Sequence, residues 1–145
     1  SGAACTIAVE EVEPDEVYRY GIVKPKSGVE PGADFDIEDL VEKPRPEVAP
    51  TSLAIAARYV FSPAVFEAIR RTAPDRNGEL QLTDSIRLLI QLGYSVRAMR
   101  LRPGERRYDI GNFESYFKAF VDFAVADEKY GYLLRQYLKR KVREF

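Results

Sequence analysis

Histidine is absent from the 145 residues, cysteine occurs once, at Cys5, and no apolar run is long. Each shortage closes a route. Without histidine, no Ser-His or Cys-His nucleophile pair can be assembled. A zinc site of cysteine and histidine is excluded too, so any bound metal has to be a hard ion held by carboxylates. A lone Cys5 forbids an internal disulfide and fits a reducing compartment, which makes the cytoplasm the expected location. No stretch approaches the roughly 20 apolar residues of a membrane span, and no signal peptide is evident, so no membrane partner is expected. The formal charge of −1 argues against electrostatic binding of nucleic acid by the chain as a whole.

What is present is ordinary for a globular protein: 46% hydrophobic and 31% charged residues. A chain of this length suits a single domain and buries roughly two-thirds of its unfolded surface. Cys5–Val12 alternates as a strand, and Glu13-Pro14-Asp15-Glu16 starts a short helix with acids in its first turn. Gly21–Lys24 reads as the next strand. The polar turn of residues 26–31 makes a hairpin into Asp36–Glu42. Residues 42–50 hold Pro44, Pro46 and Pro50 and form a surface loop. Ser52–Phe61 reads as a buried strand. Ser62-Pro63 caps a helix running to about Arg71. Leu82, Ile86, Leu89 and Ile90 recur at helical spacing, with Gly93 as the stop. Residues 95–101 and 105–110 flank Arg102-Pro103-Gly104 as a hairpin. From Asn112 the chain reads as helix to its end, with Tyr116, Phe117, Phe120, Val121 and Ala124 as a core-facing stripe. The sum is a mixed α/β sheet with flanking helices. It supplies about half of what a complete nucleotide-binding α/β fold uses.

Three constellations have chemical potential. Leu40-Val41-Glu42-Lys43-Pro44 delivers a carboxylate and an ammonium side by side where a proline stops the strand. Successive strand residues point to opposite faces, so Glu42 and Lys43 share one cleft only if the backbone turns there. A carboxylate accepts from sugar hydroxyls and an ammonium pairs with phosphate. Gly21 permits close approach of a ligand to the backbone. Taken alone, the pair also fits a strand end with a solvated ion pair. Asp109, leaving a predicted strand just before a glycine, is placed to ligate Mg²⁺, although taken alone it fits a helix N-terminal or turn carboxylate better. Gly78-Glu79-Leu80-Gln81-Leu82-Thr83-Asp84 reads as structural, with Thr83 or Asp84 placed to cap the next helix. The arginines Arg97, Arg100, Arg102, Arg106 and Arg107 form a basic patch. Tyr108 apart, it lacks the interleaved aromatics of a nucleic-acid site, so no nucleic-acid partner is expected.

The order of these pieces adds a further observation. Tyr20-Gly21-Ile22-Val23, Leu40–Pro44, Ala54–Tyr59, Gly78–Asp84 and Tyr108-Asp109-Ile110-Gly111 together resemble the C-terminal half of bacterial UTP–glucose-1-phosphate uridylyltransferases. The resemblance spans nearly the whole chain. It implies the C-terminal part of a nucleotide-diphospho-sugar transferase (Rossmann-like) fold, with the nucleotide-binding half absent from these 145 residues. By resemblance, Gly21 and Glu42 hold glucose hydroxyls, Lys43 pairs with the sugar phosphate as the catalytic cation, and Asp109 is one of two aspartates on Mg²⁺. The implied reaction joins glucose-1-phosphate to the uridylyl group of UTP, giving UDP-glucose and pyrophosphate. The implied partners are glucose-1-phosphate and UTP or UDP-glucose.

The family commonly has glycine where Ala57 and Ser115 stand, and its glycine-rich nucleotide loop does not occur in this sequence. The chain alone is therefore expected to be inactive. An exposed sheet edge and exposed apolar surface would make it a homo-oligomer, with the C-terminal helix contributing. The alternatives are a stand-alone, non-catalytic binding or assembly module and a thymidylyl-transferring relative.

Overall fold

The structure is a computed structural model that describes residues 2–28, 30–105, 107–108 and 110–144. It forms two compact units, Ser1–Glu105 and Arg106–Phe145.

The first unit is built on β1 (Cys5–Glu11), β2 (Gly21–Pro25), β3 (Asp34–Glu42), β4 (Leu53–Phe61) and β5 (Val96–Arg100). These strands hydrogen-bond in the order β1-β4-β2-β3-β5, and β5 returns to β1, so the sheet closes on itself. The β1–β5 pairing is parallel and the others antiparallel, which makes the sheet mixed. In β1 the period-2 pattern buries Cys5, Ile7 and Val9, and in β5 it buries Val96 and Ala98. Helices α1 (Ala64–Arg71) and α2 (Leu82–Gln91) add Ala68, Ile86 and Leu89 to the same core. Burial there pushes the Cys5 thiol up to about 12, which leaves it an inert core residue.

Local chemistry explains the element ends. Ser62 and Pro63 start α1: the Ala64 and Val65 amides turn back to the Ser62 hydroxyl and carbonyl at 3.4 and 3.2 Å. Gly93 ends α2 in the left-handed region at φ 85, so its own amide reaches the Ile90 carbonyl and that of Tyr94 reaches Leu89. The β2–β3 hairpin is tied near its turn by Glu38, which lies 2.7 Å from the Lys24 ammonium and accepts from the Ser27 amide at 2.9 Å. The bond to Lys24 and then those from Ser27 hold the Glu38 carboxyl down to about 2.

Three expectations need correction. β5 does not form a hairpin with residues 105–110: of these, the described residues lie in no strand. The ring explains this, because β1 and β3 take both edges of β5 and leave none to pair. Nor does one helix run from Asn112 to the end. α3 (Phe113–Ala126) and α4 (Gly131–Lys141) are separate, and the Asp127 carboxylate between them accepts from the Lys129 and Tyr130 amides at 3.0 and 2.6 Å. The aromatic stripe of α3 is not core either: Phe117 is 59% and Phe120 61% exposed, whereas the small Ala119 is buried. A unit of two helices has too little surface to enclose both faces of either helix.

β4 carries one strained position. Ile7 of β1 pairs with Tyr59 and Val9 with Ile55, so β4 bulges between these pairs. Ala57 stands in the bulge at φ 52, a left-handed conformation that suits glycine. The Ala57→Gly variant should therefore gain about 1 kcal/mol in urea unfolding, because relief of left-handed strain outweighs the extra freedom of an unfolded glycine. A lowered urea midpoint would show that the bulge is not strained.

Candidate functional site

The antiparallel register of β2 and β3 sets Gly21 directly across from Glu42. The backbone turns at the next residue. Lys43 has φ 45, its amide donates to the Tyr20 carbonyl at 2.9 Å, and Pro44 behind it is buried. A lysine in this region is strained by about 1–2 kcal/mol and persists only where its neighbours hold it. The turn overrides strand alternation. The Lys43 ammonium lies 3.9 Å from Glu42 Oε1, so both charges are on one side of the chain.

Glu42 is also held from above. Thr83, in the first turn of α2 and 7% exposed, donates its hydroxyl to Glu42 Oε2 at 2.6 Å. The segment of residues 78–84 therefore does more than start a helix. Gln81 occupies the cap position without a side-chain capping bond, and neither Thr83 nor Asp84 caps. Gln81 instead donates to Asp75 Oδ2 at 2.9 Å, while Asp75 Oδ1 accepts the Asn77 and Glu79 amides at 2.8 and 3.0 Å. Those bonds, the Glu79 amide first, lower the Asp75 carboxyl below its usual range. Asp75, Asn77, Gln81 and Glu42 line one recess of about 380 Å³ with Asp84 and Arg87.

The space beside Gly21 is already taken. A β-carbon there would stand 2.8 Å from Ile55 Cδ1, 3.1 Å from Glu42 Oε2 and 3.3 Å from Thr83 Oγ1. Tyr59, two residues beyond Ala57, completes the surroundings. Its phenol is raised above the ordinary value by burial first and then by the Glu42 charge, so the ring is neutral and within electrostatic reach of the carboxylate.

Of the residues singled out from sequence, the structure thus brings Gly21, Glu42 and Lys43 together. Asp109 lies outside the described residues. Among the described residues, no group of three or more acids or cysteines converges as a metal site. Thr83 was expected only as a helix cap, and Tyr59 and Ile55 only as strand residues, none of them as part of the site. Thr83 is 41 residues from Glu42 in sequence, and no local spacing links the two. A larger recess of about 580 Å³ lies at the opposite end of β3, beside Ala33, where Arg100 is tied to Glu11 at 3.4 Å.

The profile of the nucleotidyl transferase family matches residues 1–125. The chain belongs to that family. It is 37% identical over 135 residues to a UTP–glucose-1-phosphate uridylyltransferase of Streptococcus pneumoniae serotype 4, covering 93% of this chain and 44% of the relative. It is 38% identical over 114 residues to the enzyme of that name from Pseudomonas aeruginosa, covering 78% of this chain and 39% of the relative. Solved structures agree. A UDP-glucose pyrophosphorylase complexed with UDP-glucose superposes with TM-score 0.75 at 33% identity, over 86% of this chain and 45% of the other. The UTP-bound UGPase of Acinetobacter baumannii gives 0.78 at 30%, over 93% and 45%. The fold is therefore the Rossmann-like nucleotidyltransferase α/β fold, and the nucleotidyl transferase family is one of enzymes. The chain spans less than half the length of these relatives.

Crowding at Gly21 is directly testable. Gly21→Ala should cost about 1–3 kcal/mol in urea unfolding, since the methyl must displace Ile55 or part Glu42 from Thr83. An unchanged midpoint would mean that these side chains yield freely.

Proposed function

We propose that this chain is the sugar-phosphate-binding, C-terminal half of an enzyme that transfers a uridylyl group from UTP to glucose-1-phosphate. The observation that carries the reading is the turn at Lys43, which places an ammonium 3.9 Å from a carboxylate oxygen already oriented by a buried hydroxyl. Kinship with uridylyltransferases supports it. In this reading the Lys43 ammonium pairs with the phosphate of glucose-1-phosphate, and Glu42 accepts from sugar hydroxyls. A phosphate oxygen of the sugar attacks the α-phosphorus of UTP. The new P–O bond forms as the bond to the leaving pyrophosphate breaks. No general base is required, because a phosphate monoester is already an anion at neutral pH. The absence of histidine is therefore no obstacle. Lys43 offsets charge on the reacting oxygens, and the paired grip aligns the nucleophile. Magnesium enters the proposal through Asp109, and when bound it would neutralise phosphate charge.

Titration calorimetry of the chain with α-D-glucose-1-phosphate tests the site. Lys43→Ala should weaken binding of both the sugar phosphate and inorganic phosphate by about tenfold, whereas Glu42→Gln should weaken only the former. Equal affinity in wild type and both variants would sink the reading. The 145 residues alone should form no UDP-glucose.

The location proposed is cytoplasmic, in keeping with the reduced, buried Cys5. Among the described residues, no helix is long and apolar enough to cross a membrane. Self-association is proposed through α3, where Phe113 is 79% exposed beside the open rings of Phe117 and Phe120. Light scattering should show an oligomer that Phe117→Asp combined with Phe120→Asp reduces to a monomer. A monomeric wild type at high concentration would refute this.

A further inference from the structure

A threonine in the first turn of a helix ordinarily spends its hydroxyl on its own backbone, as a cap or a back-bond to the preceding turn. Thr83 does neither. Its hydroxyl leaves α2 and meets Glu42 Oε2 at 2.6 Å, the short distance of a bond to a charged acceptor. Thr83 is buried, so this bond faces little competition from water.

The carrier of that hydroxyl is itself fixed. One turn further along α2, Arg87 bridges to β3 through two contacts with Asp39: Nε to Oδ1 at 2.8 Å and Nη2 to Oδ2 at 3.0 Å. Thr83 and Arg87 are four residues apart on one helix face, and both reach β3. The other side of α2 is tied to the end of α1 by the hydroxyls of Ser85 and Thr72, 2.9 Å apart. A threonine in a helix has two favoured rotamers, so on a fixed helix the bond to Glu42 selects one direction for the hydroxyl.

The consequence falls on Glu42. A glutamate on a strand end has three side-chain torsions, and the last is broad. With Oε2 engaged by Thr83, the carboxylate plane is set and Oε1 remains on the Lys43 side. Gly21 is part of the arrangement, since a β-carbon there would crowd both oxygens of the Thr83–Glu42 bond. We propose that Thr83 is a positioning residue that orients Glu42 so that one carboxylate oxygen, beside Lys43, faces the sugar hydroxyls of a bound sugar phosphate. It acts through Glu42 and touches no reacting atom. This rests on the sugar-phosphate reading of the site given above.

The test is calorimetric titration of the full chain with α-D-glucose-1-phosphate, its C4 epimer and inorganic phosphate. The proteins are wild type, Thr83→Val, Thr83→Ala, Thr83→Ser and Glu42→Gln, each checked for folding by circular dichroism. Thr83→Val and Thr83→Ala should lose about tenfold in affinity for glucose-1-phosphate and discriminate less between the epimers, with inorganic phosphate unchanged. Thr83→Ser, which keeps the hydroxyl, should bind within about twofold of wild type. A merely structural role would weaken sugar phosphate and phosphate alike. Having both a valine and an alanine variant guards against loss of fold in either.

If the folded hydroxyl-free variants bind glucose-1-phosphate as wild type does while Glu42→Gln does not, the positioning role falls and the sugar-phosphate reading stands. A serine variant as weak as valine also overturns the positioning role. If Glu42→Gln binds glucose-1-phosphate unchanged, or wild type binds none, both the site reading and the role of Thr83 fall.

Discussion

The pairing of β2 with β3 is the constraint on which the site depends. Its register sets Gly21 across from Glu42, and the strand ends in a left-handed turn at Lys43 held by a hydrogen bond to Tyr20. Strand geometry alone would send Glu42 and Lys43 to opposite faces. The strained turn reverses that and brings a negative and a positive group together in a partly solvated setting. At this exposure the ion pair itself adds little to stability. Its significance lies in having both charges available to one ligand.

Around this turn the structure spends polar contacts on geometry. Asp39 receives Arg87, Glu42 receives Thr83, and Asp75 receives Gln81 and two loop amides, so α2 and the loop before it are tied down near the same end of β3. The apolar core beneath is continuous through Ile7, Leu40, Ile86 and Leu89, each fully buried, which gives these contacts a rigid base. Among the described residues of the first unit, closure of the strand ring pairs both edges of every strand, so the edge pairing expected to help drive association is not offered there. Exposed apolar surface is concentrated instead on α3.

Much of the fold was legible locally. β1 through β4, α1 and α2 follow from alternation, helical spacing, Pro63 and Gly93, because each signal is carried by residues close in sequence. The misreadings came where the outcome depends on distant partners. Residues 105–110 look like a second hairpin strand until β1 and β3 are seen to occupy both edges of β5. The aromatic stripe of α3 has the period of a core-facing helix, yet period says nothing about whether a partner surface is present.

For the site, the sequence by itself determined that these residues supply no histidine, no cysteine–histidine zinc site and no internal disulfide, and that a carboxylate–ammonium pair stands where a proline-marked strand ends. These are matters of composition and adjacency, which no fold can change. Only the tertiary structure decided that the pair shares one side, that the space beside Gly21 belongs to Ile55, Glu42 and Thr83, and that Thr83 serves a carboxylate rather than a helix end. Those outcomes depend on a backbone dihedral held by the Lys43–Tyr20 hydrogen bond and on a contact between residues 41 apart that α2 makes with β3.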